Sequence, residues 1–594
     1  MKQQTTEFYT SEKEKNEIKL SSVKRKLQLS STLRLLLFVG FILSIYFFYQ
    51  NYLAVAGIAL LGISLFLFLI SKHIKLQYQR DFFKELIHIN KTELQVLNGD
   101  FFNLEDGAEY QNANHFYSFD IDLFGRGSFF QFMNRTVTKS GRDFLANIFT
   151  LNDPKEILQK QKGIQELSNM AEWRQEFSAI GNMIRVQFPV KDIINWIQNY
   201  RSILPNFMAF LPKFFSGISG LLIILILIGF IGYPILIIWF LIGLGISGVY
   251  NKKVNSIYNK AGRAKQTFRQ YHKLLSIIEN TNFDSEILIT QKSKIQSDKR
   301  KASIFFRSFY IILNGFDQRN NMIMALFGNA LLLWDLRYAN KVEKWIQTHQ
   351  NEIENWFDVI TFFDAYNSLA NFDFNNPDYV YPSINQDFKG IDAKDLGHPL
   401  LKSAKRIDND FSIENQQFYI ITGANMAGKS TFLRTVSLSI VMANIGLPVC
   451  AKTFEYSPIK LITSMRTSDS LTDDESYFFS ELKRLKFIVE IINEENSNGN
   501  YFIILDEILK GTNSTDKAIG SKKFVQKLIS SHSTGIIATH DLSLCEIEKE
   551  YKEVKNYYFD AEIIDDELYF DYKLKTGVCK NMNASFLLNK MKII

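Results

Sequence analysis

The segment Gly423-Ala424-Asn425-Met426-Ala427-Gly428-Lys429-Ser430, followed by Thr431, fits the pattern GxxxxGK[ST] in full. Its residue types suit one chemistry, the holding of phosphate groups. Gly423 and Gly428 let the backbone curl so that N–H groups face an anion, and a helix N-terminus adds its positive end. Lys429 places a point charge on β- and γ-phosphates, and the Ser430 hydroxyl can reach Mg²⁺. A second group lies some 80 residues on, where 501–505 (YFIIL) runs into Asp506-Glu507. Asp506 is placed to hold Mg²⁺, and Glu507 is the candidate general base that orients an attacking water. A third group is His540, which closes the run 535–539 (GIIAT). It falls where a γ-phosphate sensor would sit. The chemistry expected is Mg²⁺-dependent hydrolysis of ATP.

These residues need particular elements to bring them together. Residues 418–421 are β-prone, and 431–444 read as a helix. Strand, loop and helix in that order are the setting a phosphate-binding loop requires. The continuous apolar run 501–505 suits a buried parallel strand. From about residue 385, short β-rich runs alternate with helical ones, so 385–594 reads as an α/β P-loop domain.

Several of these stretches resemble the MutS family ATPase domain, an ABC-type fold. They are TGANMAGKST at 422–431, DEILKGT at 506–512 with the NSTD that follows, and Ala538-Thr539-His540. Gly397-His398-Pro399-Leu400 resembles the family's approach to the first strand, GLPVCA at 446–451 its stretch after the first helix, and 476–481 (SYFFSE) its signature-helix start. Residues 123–144 and 364–383 resemble two stretches of its helical core, so the likeness covers about 110–200 and 340–594. The resemblance implies a head-to-head homodimer through the ATPase domains, with ATP on one subunit capped by Ser476 of the other. There are departures. Ala424 stands where Pro is common, Ala427 replaces a Gly, Leu509-Lys510 replaces Gly-Arg, and Asp474-Glu475 precede Ser476. No Phe-x-Glu wedge occurs in a setting comparable to the family's mismatch-reading domain.

The rest of the chain has another character. Residues 35–49 and 53–70 form one pair of uncharged apolar runs, and 214–232 and 234–250 a second. Each pair reads as a transmembrane hairpin, giving four spans of about 17–25 residues, the first of them only with help from 32–34. Lys24, Arg25, Lys26, Arg34, Lys72, Lys75, Lys213, Lys252 and Lys253 flank the hairpins, while the turns at 50–51 and 233–234 carry no positive charge. Both termini and the ATPase domain are therefore expected in the cytoplasm of an integral membrane protein. Cys450, Cys545 and Cys579 form no CxxC pair, which suits a reducing compartment. The division expected is a polar tail (1–34), a first hairpin (35–70), the first half of an all-α core (71–213), a second hairpin (214–250), a basic arm with the remaining half of that core (251–384) and the ATPase domain (385–594).

Overall the chain carries only +6 over 594 residues, which by itself implies no nucleic-acid partner. Locally, 252–307 holds thirteen basic residues against four acidic ones. Within it, Lys292, Lys294, Lys299, Arg300 and Lys301 are candidate contacts to DNA phosphates or to anionic lipid; a solvated helix face beside a span is the plainer reading. Two functions are open at this point. One is a membrane-held ATPase acting on duplex or branched DNA, related to mismatch repair or recombination. The other is a membrane-remodelling or transport-like ATPase without DNA, although the four runs contain no charge to line a polar conduit.

Overall fold

The computed structural model describes residues 2–151, 153–183, 189–297, 300–385, 389–466, 477–494, 501–510, 512–564 and 567–579. Helices α1 (Lys2–Phe48) and α2 (Tyr52–Leu97) form the first hairpin. The expected break at residue 34 is absent, because α1 runs unbroken from the polar stretch into the apolar one. Tyr9, Asn16, Val23 and Ser30 are buried at seven-residue intervals. That is the seam of an antiparallel coiled coil with α2.

The helical core gathers α3 (Ala171–Asn182), the second apolar hairpin α4 (Leu211–Leu227) and α5 (Pro234–Asn280), α6 (Ala302–Phe316), α7 (Trp334–His349) and α8 (Ile353–Asn375). In place of the four expected spans, three helices among the described residues are long and apolar enough to cross a membrane: α1, α2 and α5. The run at 214–232 falls short because the backbone leaves the helix after Leu227, and Gly229 takes a φ of 77°, which only glycine adopts cheaply.

Helix α8 is the axis of the core and is buried on nearly all faces. At its middle the fully buried Asp364 carboxylate accepts the Val137 N–H at 3.0 Å, the Thr138 N–H at 2.8 Å and the Thr138 hydroxyl at 2.6 Å. Gly141 lies so close that a Cβ there would sit 2.2 Å from the carboxylate.

The C-terminal domain holds a six-stranded sheet of β1 (Phe418–Gly423), β2 (Lys460–Ser464), β3 (Tyr501–Asp506), β4 (Thr534–Ala538), β5 (Val554–Phe559) and β6 (Leu574–Thr576), in the order β6-β5-β1-β4-β3-β2. All neighbours are parallel except β5 and β6. Every residue of β1 and β4 is buried, as expected of parallel strands covered on both faces. Helices α9 (Lys429–Asn444), α10 (Tyr477–Glu494) and α11 (Ser514–Ser530) complete the domain. A smaller four-stranded sheet stands beside it; its strand Asn409–Glu414 alternates buried and exposed residues.

Candidate functional site

Strand register assembles the site. Ala538 pairs with Ile421 on one side and with Asp506 on the other. The C-terminal ends of β1, β4 and β3 are thus level, and the residues just past them meet. β4 lies between the other two, so His540 falls between the phosphate loop and the acidic pair.

The loop after β1 has the curl that phosphates require. Gly423 has a φ of 146°, Met426 68° and Gly428 106°. A Cβ on Gly423 would lie 2.5 Å from the Phe559 carbonyl oxygen, so no other residue fits there. Gly428 caps α9, whose first turn directs its free N–H groups into the loop. Lys429 Nζ donates to the carbonyls of Gly423 at 2.8 Å and Ala424 at 3.0 Å and lies 3.3 Å from His540 Nε2. Burial pulls the Lys429 pKa down against the opposing pull of Asp506 and Glu507. Burial and the Lys429 charge lower that of His540, so its imidazole is neutral and can accept from the lysine. Loop and side chains line a cavity of about 550 Å³, together with His398, Asn409 and Tyr572.

Ser430 Oγ donates to Asp506 Oδ2 at 2.6 Å. These two oxygens form the donor set for a hard cation, which accepts few protein ligands and completes its shell with water and phosphate oxygens. No cluster of three or more His, Cys, Asp or Glu able to hold a metal occurs among the described residues. Mg²⁺ would therefore rest on Ser430, Asp506 and the phosphates themselves.

Glu507 sits at a φ of 55°, its N–H fixed to the Ala538 carbonyl at 2.8 Å. A non-glycine residue held in that region marks a position the surroundings dictate. Its carboxylate lies 3.6 Å from Lys510 Nζ and 3.6 Å from Lys517 Nζ. Burial raises its pKa, but Lys517, Lys510 and His540 outweigh that, and the net shift is downward. Glu507 stays ionised and suits the aiming of a water more than the full removal of its proton.

Sequence reasoning missed several partners. Glu481 on α10 is buried and accepts the N–H groups of Leu509 at 2.6 Å and Lys510 at 3.1 Å, which ties α10 to the loop that carries Glu507. Its only sequence signal is its place in the SYFFSE stretch. The second group comes from far upstream. The Asp120 carboxylate accepts the Thr463 hydroxyl at 2.5 Å and the Arg466 N–H at 2.9 Å. Asp122 pairs with Arg466 and lies 3.3 Å from Arg434 on α9. The Arg484 guanidinium donates to the carbonyls of His115 at 2.9 Å, Phe116 at 2.6 Å and Thr463 at 2.7 Å. Helical core and phosphate-loop helix are thus tied through residues 115–122.

This tie makes a prediction. Asp120 is only 4% exposed, so Asp120→Ala takes the acceptor from the buried Thr463 hydroxyl and the part-buried Arg466 N–H, at a cost of about 1–3 kcal/mol. Urea unfolding followed by tryptophan fluorescence, which reports the core, and by nucleotide protection should then separate into two transitions. A single transition with the wild-type midpoint would show that the tie is not structural.

Of the residues expected to act on nucleotide, Gly423–Ser430, Asp506, Glu507 and His540 converge here; Thr431 lines the same cavity from α9. Ser476 lies outside the described residues. So does Lys299, and the side chain of Arg300 is also undescribed. Lys292 Nζ donates to the Thr281 carbonyl at 2.6 Å and Lys301 Nζ to Asn280 Oδ1 at 3.0 Å, so both turn back onto the C-terminal end of α5. That is a favoured place for cations, and it engages one donor of each of these two candidate contacts within the protein. Lys294 is exposed.

Residues 419–590 match the family model described as MutS domain V. The chain is 33% identical over 221 residues to the human "MutS protein homolog 4", an alignment covering 35% of this chain and 22% of that protein. It is 25% identical over 351 residues to "DNA mismatch repair protein MutS" of Methanosarcina barkeri, covering 55% and 38%. To the protein of the same name from Methanococcoides burtonii it is 32% identical over 241 residues, covering 39% and 26%. The chain therefore spans well under half the length of these relatives.

Proposed function

The chain is a MutS family member through the domain at its C-terminal end, and from that premise we propose that it is a membrane-anchored, Mg²⁺-dependent ATPase that acts on DNA in a process related to mismatch repair or recombination, without reading mismatches by a wedge. The observation that carries the ATPase reading is the meeting of Lys429, the Ser430–Asp506 pair, Glu507 and His540 around one cavity. Lys429 and the α9 N-terminus hold the β- and γ-phosphates, and the cation bound at Ser430 and Asp506 neutralises charge that builds on them. Glu507 aims the attacking water, and His540 reports on the γ-phosphate to the Lys429 side of the site. A change there passes through α9 and Arg434 to Asp122 and the core. The domains work as a homodimer, with Ser476 reaching the partner's nucleotide. The apolar helices anchor the chain, with termini and motor in the cytoplasm.

DNA is the substrate class proposed, and the exposed Lys252, Lys253, Lys260 and Arg269 along α5 replace Lys292 and Lys301 as its phosphate contacts. The ATPase rate of the full chain in phosphatidylcholine nanodiscs, with and without matched, mismatched and branched duplexes, tests this reading. A mismatch should tighten binding by less than about tenfold, or 1.4 kcal/mol. Each phosphate contact contributes about −0.9 to the slope of log K against log salt. Changing these four residues to Gln should therefore flatten the slope by about 3 to 4 while leaving basal ATPase intact. An unchanged slope would remove α5 from the interface. The second reading, membrane remodelling without DNA, is favoured by the inward turn of Lys292 and Lys301. Absence of DNA binding at about 50 mM salt, where phosphate contacts are strongest, would select it.

A further inference from the structure

We propose that the second hairpin and residues 322–332 form one apolar wedge embedded in a single leaflet, and that only the first hairpin crosses the bilayer. This rests on the membrane anchoring proposed above.

The segment 322–332 (MIMALFGNALL) carries no charge and is too short to span. It nevertheless exposes Met322 (84%), Ile323 (67%) and Phe327 (51%). Its neighbours fix its position along the hairpin. The Phe327 ring lies 5.7 Å from that of Phe240, and Gly243 meets Ala330 so closely that a Cβ would sit 2.1 Å from its carbonyl oxygen. Phe240 and Gly243 lie inside the apolar run of α5, so this segment shares its environment. The backbone here is irregular, with a π-helical turn at Met324–Gly328 and Leu333 at a φ of 48°. Hydrocarbon tolerates irregular backbone only where other groups satisfy it. Part of that is supplied from the hairpin: Ser219 Oγ donates to the Leu331 carbonyl at 2.7 Å, while the Ser216 hydroxyl donates to the Pro212 carbonyl at 2.6 Å and lies 3.3 Å from the Leu332 carbonyl. Trp239 Nε1 in turn donates to Ser219 Oγ at 2.8 Å, so even the indole is satisfied inside the wedge.

The two hairpin tips differ. The first hairpin turns through Tyr49-Gln50-Asn51-Tyr52, two amides between tyrosines, which suits a far membrane surface. The second turns through Ile228-Gly229-Phe230-Ile231-Gly232-Tyr233, with Phe230 77% exposed and Tyr233 the only polar-tipped residue. Such a tip has nothing to hold it in water.

Geometry gives the third argument. Lys273 Nζ of α5 stands 3.6 Å from the Tyr78 ring of α2. From that contact the apolar run of α2 begins eight residues away, at Ile70, and that of α5 twenty-three residues away, at Tyr250. At a rise of about 1.5 Å per residue these paths are roughly 12 Å and 35 Å. One flat bilayer receives both runs only if α5 leans about 70° from the normal, against roughly 0–40° for spanning helices. A helix at that angle lies in a leaflet. Being apolar on all sides, the second hairpin sinks below the headgroups, where an amphipathic helix would stay at the surface.

The test uses the full chain in phosphatidylcholine vesicles, with single cysteines at 51, 61, 230 and 323; the native cysteines are buried. An impermeant maleimide is applied to either side, and bimane-labelled protein is mixed with acyl-chain-brominated phosphatidylcholine. The expected result is that Asn51→Cys labels only from the side opposite the ATPase domain. Phe230→Cys and Ile323→Cys should label from neither side and lose at least half their bimane fluorescence to the brominated lipid. Labelling of Phe230→Cys from the far side would make the second hairpin a spanning one. An unquenched Ile323→Cys would mean that water or a second copy of the chain covers 322–332. Either result overturns the wedge while Leu61→Cys stays quenched. If Leu61→Cys is also unquenched, the anchoring itself fails and the wedge with it.

Discussion

Glu507→Gln should still bind ATP with Mg²⁺ and turn it over at least about 100-fold more slowly than wild type, the loss expected when a positioned base disappears. The substitution preserves shape, so the backbone at a φ of 55° and the hydrogen bond to Ala538 persist. It removes the charge that Lys510 and Lys517 face. Binding of a fluorescent ATP analogue and single-turnover phosphate release separate the two effects. Because the neighbouring lysines lower the Glu507 pKa, wild-type turnover should not fall through protonation of this group between about pH 7 and pH 5. Wild-type turnover in the variant would assign the base elsewhere; loss of ATP binding would make Glu507 belong to the phosphate site.

The largest expected loss of stability belongs to Asp364. Asp364→Ala strands the Val137 and Thr138 N–H groups and the Thr138 hydroxyl inside the core, at about 1–3 kcal/mol for each unsatisfied donor. A total of roughly 3 kcal/mol or more is a large fraction of a domain's stability. Burial pushes the Asp364 carboxyl up to about 6 even though Thr138 and Val137 donate to it. The sign follows from that direction. A carboxyl raised in the folded state favours folding below its unfolded value, near 4, and loses that contribution as pH rises through about 6. Wild-type stability in urea should therefore decline from pH 5 to pH 7, and Asp364→Asn should flatten the decline. A wild-type profile unchanged by Asp364→Asn would assign that pH dependence to other groups.

The nucleotide-binding residues were legible because their signal is local: two glycines, a lysine and a hydroxyl at fixed spacing, between a strand and a helix. Strand order is not local. That β4 lies between β1 and β3, which puts His540 beside Lys429, follows from pairing across more than a hundred residues. Asp120 and Asp122 meet Thr463 and Arg466 more than 340 residues later, so nothing in their surroundings marks them. The first 34 residues read as a polar tail because the seam they bury is itself partly polar. Asn16 and Ser30 occupy positions where an apolar residue would have betrayed the heptad. Residues 322–332 were passed over because eleven residues fall below the length at which an apolar run reads as a membrane element. The fourth span fell short because the helix ends at Leu227, before Gly229, a break that apolarity alone does not reveal.

The coiled coil of α1 and α2 has a mechanical meaning. The end of α1 is riveted to the end of α8, with the Phe8 ring 5.2 Å from that of Phe374 and the Tyr9 hydroxyl 2.7 Å from Asn375 Oδ1. From there to residue 34, α1 travels about 40 Å at the helical rise, braced along its length by α2. A strut of that length is a gear as well as a spacer. Tilting its riveted end by about 10° sweeps the far end through roughly 7 Å, so with the anchoring proposed above small rotations of α8 would reach the bilayer as displacements a lipid can feel. On the same proposal the converse holds: lateral force on the first hairpin would return to α8 as torque, with a long arm in the membrane's favour.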